Sequence, residues 1–174
     1  MNSNSKSYDE YEPCCKKEKE REKKVYSPTI IKCGAPGSVT VPSGSTGTFT
    51  PASLTLNTKC FCNPCTKLEV TSNVIPASTA SAGSLSYQVT KQCRNQFAPV
   101  PVGPSFTYSV LTANVGAQAF SFFICDCDSC DNDCCTYRLN VTATTAVGTG
   151  GIVINNATIG AITTEVASTC GCND

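Results

Sequence analysis

The sequence predicts an all-β protein, a β-sandwich or jelly roll of about eight to ten strands with an extended N-terminal arm. Two patterns indicate this class. Short stretches of alternating apolar and polar residues recur along the chain, separated by Pro, Gly, Asn and Ser. No segment of the body keeps a 3.6-residue apolar period over three turns, so helices are not expected there. The length of 174 residues fits about one domain.

The body is expected to form its strands at regular intervals. Leu68–Val74 shows the clearest alternation, with every second residue apolar, as a half-buried strand requires. The other expected strands are Thr29–Cys33, Ser38–Val41, Leu54–Leu56, Leu85–Val89, Phe106–Val110, Phe120–Ile124, Tyr137–Val141, Ile152–Ile154 and Ile159–Val166. The spacing does not fix the order of these strands in a sheet.

Charge divides the chain into two parts. Half of the charged residues lie in Lys6–Lys24, and the rest are spread thinly over the residues that follow. The sequence therefore predicts a flexible charged arm at 1–28 and a cysteine-rich β-sandwich domain at 29–174, long enough to bury one core. The arm has no apolar stripe and is too short for a stable isolated helix, so we expect it to be disordered or extended in the free monomer.

Composition argues against several classes of protein. The formal charge is +0, whereas a nucleic-acid binder normally carries a basic excess. Histidine is absent, which removes the commonest general base, so we expect neither an enzyme nor a cofactor. No run of 18 apolar residues suits a membrane span, and the N-terminus has no apolar segment typical of a secretory signal, so no membrane partner is expected.

Cysteine is unusually abundant, with 14 residues. They form two clusters of matched spacing, and several further cysteines lie outside these clusters. Cys60-x-Cys62-x-x-Cys65 recurs in spacing as Cys125-x-Cys127-x-x-Cys130, and a Leu-x-Val-Thr strand follows each cluster. Because loops at one end of a sandwich meet in space, the clusters are expected to lie near sheet ends, close together, and to contain intrachain disulfides. The alternative is a zinc thiolate site built from Cys60, Cys62, Cys65, Cys125, Cys127 and Cys130.

Four aspartates are interleaved with the second cluster. Their spacing lacks the central glycine and terminal glutamate of an EF-hand loop, so a solvated acidic loop is favoured over a calcium site. We expect all four side chains to be accessible to water: Asp126, Asp128, Asp131 and Asp133.

The arm contains two adjacent cysteines, Cys14 and Cys15. A bond between them would be strained, and the neighbouring Lys16 and Lys17 should favour the reactive thiolate. We therefore expect Cys14 and Cys15 to form intermolecular cross-links. The candidate acceptors lie in the second cluster and at the C-terminus: Cys125, Cys127, Cys130, Cys134, Cys135, Cys170 and Cys172.

Three stretches of the body carry a resemblance. Ser27–Gly34, Phe61–Glu69 and Phe122–Tyr137 resemble a family of cysteine-rich proteins from clostridial spore formers. The layout of the chain is also similar, more loosely, to the subunits of bacillar endospore appendages. Those are small jelly-roll proteins whose N-terminal connector carries a Cys-Cys pair and is locked to a neighbouring subunit by disulfides. The charged insert Lys16–Lys24 departs from that pattern.

The resemblance implies a structural, self-assembling subunit of a disulfide-cross-linked spore-surface filament or of an exosporium or coat layer. Its partners would be copies of itself, as a homopolymer, and other spore-surface proteins. Such a protein is made in the mother cell without a signal peptide, and its thiols oxidise after that cell lyses, which reconciles many cysteines with intracellular synthesis. A zinc-binding protein is the alternative function.

Overall fold

The computed structural model describes residues 28–59, 61, 63–94, 96–111, 116–127 and 134–165. All regular structure in these ranges is β-strand. The strands are β1 (Thr29–Cys33), β2 (Gly37–Val41), β3 (Thr48–Asn57), β4 (Pro64–Pro76), β5 (Gly83–Cys93), β6 (Val100–Val110), β7 (Gln118–Asp126), β8 (Cys134–Ala143) and β9 (Ile152–Glu165). The described ranges contain no helix with the length and apolarity that a membrane crossing needs.

The strands form two antiparallel sheets with jelly-roll order. One sheet has the order β1-β9-β4-β7, with β2 also pairing with β9, and the other has the order β3-β8-β5-β6. Strands β2 to β9 thus alternate between the sheets, except that β5 and β6 pair within one sheet, and this is the way that two Greek keys wind into a jelly roll. The predicted fold class is confirmed for the body, while the arm at 1–28 lies outside the described residues except for Pro28.

Alternation along each strand creates the core. β4 and β8 alternate between buried and partly exposed residues over their whole length, because successive side chains point to opposite faces of a sheet. The inward residues of both sheets pack into one apolar layer. Its largest fully buried members are Tyr87, Leu56, Leu68, Leu85, Leu139, Ile152, Ile154 and Ile159.

Several strands differ from the sequence prediction, among them β6, which begins at Val100 instead of Phe106. The strands expected at Ile152–Ile154 and Ile159–Val166 are one strand, β9. Asn156 takes a positive φ of 50°, and the pairing of β9 with β4 shifts register nearby, so a bulge absorbs the irregularity that looked like a break. β3 begins at Thr48 instead of Leu54 and tolerates Pro51, because β3 is an edge strand and a bulge falls there.

Candidate functional site: the disulfide end of the jelly roll

Two disulfides lie at one end of the sandwich, one in each sheet. Cys65 at the start of β4 bonds to Cys127 just after β7, and Cys93 at the end of β5 bonds to Cys135 at the start of β8. Each pair joins neighbouring antiparallel strands, with Cα–Cα distances of 4.0 and 3.9 Å. Cys65–Cys127 connects the two sequence clusters, which confirms the expected intrachain disulfides.

A buried polar layer occupies the same end of the sandwich, between the sheets. Lys91 and Tyr137 lie opposite each other on β5 and β8, and both reach Asp126 on β7 of the facing sheet. The Lys91 Nζ to Asp126 Oδ2 distance is 3.0 Å, and the Tyr137 hydroxyl donates to Asp126 Oδ2 at 2.7 Å. These two contacts connect β5 and β8 of one sheet to β7 of the other at this end of the sandwich.

Burial sets the chemistry of this layer. The side chains of Lys91 and Asp126 are only 5% and 12% exposed, so each charge depends on the other for compensation. Burial, followed by the adjacent Asp126 charge, raises the pKa of the Tyr137 phenol far above its ordinary value. Tyr137 therefore stays a neutral hydrogen-bond donor at any physiological pH. Next to Asp126, the buried hydroxyls of Thr66 and Thr163 lie 2.9 Å apart.

The position of Asp126 corrects the expectation of a fully solvated acidic loop. Its side chain points between the sheets, because Ile124, two residues earlier on the same face of β7, is buried. The other three aspartates lie outside the described residues. Sequence reasoning also missed Lys91 as a site residue, although its place in the inward series of Leu85, Tyr87 and Val89 was a signal that it would be buried.

Among the described cysteines, two thiols outside the disulfides are exposed, Cys33 at the end of β1 and Cys125 on β7. Cys134 lies half-buried at the start of β8, opposite Asn57. Of the predicted acceptors, the structure thus leaves Cys125 as an exposed thiol and places Cys127 and Cys135 in intrachain disulfides. The remaining predicted site cysteines lie outside the described residues: Cys14, Cys15, Cys60, Cys62, Cys130, Cys170 and Cys172.

The zinc alternative loses two ligands in the oxidised protein, because the sulfurs of Cys65 and Cys127 are bonded to each other. Within the described ranges, no three Cys, Asp or Glu side chains are grouped as a metal would need. A zinc site that includes Cys65 and Cys127 therefore requires reduction of this disulfide first.

The two sheets and their cross-strand bonds define a disulfide-linked jelly-roll protein. The chain belongs to the family described as Domain of unknown function (DUF4489), whose model matches residues 27–164. Among curated proteins, none matches the sequence.

Several solved structures share the sandwich architecture at low identity. Eiger TNF from S. frugiperda is 11% identical with a TM-score of 0.45, and the match covers 84% of this chain and 98% of that one. The family 11 carbohydrate-binding module from Clostridium thermocellum is 14% identical with a TM-score of 0.36, covering 77% and 85%. A structure of infectious bursal disease virus, Gx strain, is 15% identical with a TM-score of 0.45, covering 80% of this chain and 32% of that chain. At such values these likenesses carry no argument about function.

Proposed function

We propose that this chain is a structural subunit that assembles into a disulfide-cross-linked filament or layer on a spore surface, with its N-terminal arm linked to a neighbouring subunit. The observation that carries the proposal is the location of the disulfides and of the exposed cysteine thiols. Intrachain disulfides close one end of the jelly roll, while Cys33 and Cys125 remain exposed thiols on the body. Cross-linking needs this combination of a stable body and surplus thiols.

The arm leaves the body at the disulfide end. Thr29, where β1 begins, is paired with Thr164, and Thr164 is paired on its other side with Cys65. Because these three residues share one row across the sheet, the arm enters the body in the row that contains a disulfide. The roughly 15 residues from Cys15 to Thr29 span about 50 Å when extended, at ~3.3 Å per residue. The longest strand, β9 with 14 residues, is about 46 Å long on the same scale, so the arm can reach beyond its own body.

An exposed disulfide can accept such an arm by exchange. Cys127 is exposed, so a thiolate of Cys14 or Cys15 can attack one sulfur of the Cys65–Cys127 bond. A new interchain bond forms, the other sulfur leaves as a thiolate, and no external oxidant is consumed. Cys135 is only 3% exposed and Cys93 only 7%, so their disulfide is protected from the same attack.

The finer parts of the proposal depend on the sequence resemblance. A spore-surface location, synthesis in the mother cell and partners among other spore-surface proteins follow from the similarity to clostridial cysteine-rich proteins and to endospore appendages. A non-enzymatic role is part of the same proposal, since the chain has no histidine to activate its cysteines.

The test compares the assembly state of matched variants. Purified, air-oxidised protein is boiled in denaturant without reductant, then examined on a gel and by electron microscopy. Wild type should show a ladder and large assemblies that collapse only with reductant. A chain with Cys33→Ser and Cys125→Ser should keep the ladder through its arm, and adding Cys14→Ser with Cys15→Ser to that chain should abolish it. The control, Cys93→Ser with Cys135→Ser, also removes two cysteines but should keep the ladder. A wild-type monomer containing stoichiometric zinc would instead support the zinc-binding alternative.

A further inference from the structure

The two exposed thiols of the described residues, Cys33 and Cys125, lie on the outer face of the five-stranded sheet, one at each edge. β1 and β7 are the first and last strands of the order β1-β9-β4-β7. Cys125 points outward because its neighbour Ile124 is buried in the core. Across the sheet, Cys33 lies in one row with Gly160, Glu69 and Phe123. Phe123 points outward and is 63% exposed, so Cys33 lies on the same outer face.

These two thiols cannot bond to each other within one chain. Three strand spacings of about 4.8 Å separate β1 from β7, and Cys33 is offset from Cys125 by one two-residue step of about 6.8 Å along the strands. The Cα–Cα separation is therefore about 16 Å, whereas a disulfide requires less than about 7 Å. A bond at either thiol must go to another molecule or to another part of the chain.

Strand directions favour a second copy of this chain. β1, β9, β4 and β7 are successively antiparallel, so β1 and β7 run in opposite directions. A copy moved sideways, with the same face outward, brings its β1 antiparallel to β7. Edge strands offer the unpaired N–H and C=O groups that such an addition uses. With Cys33 opposite Cys125, β1 overlaps the last two residues of β7, Cys125 and Asp126, so the two sheets meet over a short stretch that the disulfide holds.

One register places the two thiols opposite each other. When Cys33 of the next subunit lies opposite Cys125, Lys32 of that subunit falls opposite Asp126, whose carboxylate already contacts Lys91 and Tyr137, so this register places no like charges opposite each other. Opposite residues of antiparallel strands have Cα atoms about 4.5–5.5 Å apart, within the disulfide range. The chain already bonds opposite cysteines of neighbouring strands twice, in Cys65–Cys127 and Cys93–Cys135.

We propose that subunits join edge to edge, β7 of one against β1 of the next, locked by a Cys125–Cys33 disulfide. This junction rests on the proposed structural function and adds a second interface to the arm. The contact is heterologous, so it generates an open ribbon or filament unless rotation closes it. The two thiols give two protons and two electrons to a small disulfide oxidant, such as oxidised glutathione, which is released as two thiols. With Cys125 engaged, the arm must use one of its other predicted acceptors.

Complementary single-thiol variants test the junction. The full chain carries Cys14→Ser and Cys15→Ser throughout, so the arm cannot contribute. Cys33→Ser and Cys125→Ser versions are oxidised with glutathione disulfide separately and as a mixture. The mixture should yield dimers in which tandem mass spectrometry locates a Cys33–Cys125 bond, and neither variant alone should yield it. Absence of that bond from the mixture overturns the junction, as does an equally abundant Cys125–Cys125 bond in the Cys33→Ser variant alone.

A displaced thiol tests the register. Cys125→Ser with Ser121→Cys keeps an exposed thiol on the same strand and face but moves it about 14 Å along β7. Bond formation to Cys33 should slow at least tenfold, and an unchanged rate would show random collision and overturn the junction. Because the arm thiols are absent here, a negative result leaves the arm linkage to be judged by its own variants.

Discussion

Removing the hydroxyl of Tyr137 tests whether the buried polar layer holds the two sheets together. Tyr137→Phe keeps the ring, which is 3% exposed, so no cavity forms and the change reports the lost hydrogen bond to Asp126. Hydrogen bonds to charged groups contribute about 1.5–3 kcal/mol. Since Lys91 still compensates the carboxylate, we expect a loss of about 2 kcal/mol in the free energy of unfolding.

Tyr87 provides the matched control. Its ring is fully buried in the same core, and its hydroxyl lies close to the Ser72 hydroxyl without forming a hydrogen bond of normal geometry. Tyr87→Phe removes the same atom without removing a bond, so stability should stay within about 0.5 kcal/mol or increase, because an unpaired buried hydroxyl is unfavourable.

The assay is equilibrium unfolding in urea with the disulfides intact, at pH 7, for wild type and both variants. A parallel thermal unfolding experiment gives a second readout, in which a loss of about 2 kcal/mol should lower the melting temperature by about 4–8 °C for a chain of this size. An equal loss in Tyr87→Phe and Tyr137→Phe would refute the reasoning, because it would show that the cost arises from ring packing and not from the contact with Asp126.

Three further predictions concern stability. Replacing both Cys93 and Cys135 by Ala should cost about 4 kcal/mol by loop entropy, since the bond spans 42 residues, measured as the shift of the denaturation midpoint. Leu139→Ala should cost about 2–5 kcal/mol because the side chain is fully buried, whereas Leu111→Ala, at a residue 64% exposed, should have little effect. Burial raises the pKa of Tyr87 to about 12, so folding favours its protonated form. The Tyr87 share of the stability should be constant below pH 10 and fall by about 1.4 kcal/mol per pH unit between pH 10 and 12, in addition to the share of Tyr137, and Tyr87→Phe should remove the Tyr87 share alone.

The sequence alone determined the fold class and much of the core. A period of two reports which side chains share a face, and this property is local to each strand. The inward residues of β4 and β8 could therefore be identified from Leu68 and Leu139 with their neighbours. The same period of two places Lys91 on the inner face of β5, after Tyr87 and Val89, although its charge favours an exposed position.

Only the tertiary structure decided which cysteines meet. Cys65 and Cys127 are separated by 62 residues, and their bond exists because β7 lies beside β4 in the sheet. Strand order depends on how both sheets bury their apolar faces together, and this information is not contained in the spacing of any one cluster. The burial of Asp126 has the same origin, since Lys91 and Tyr137 reach it from the opposite sheet. Local patterning thus fixes what each strand presents, whereas long-range packing fixes what each residue contacts.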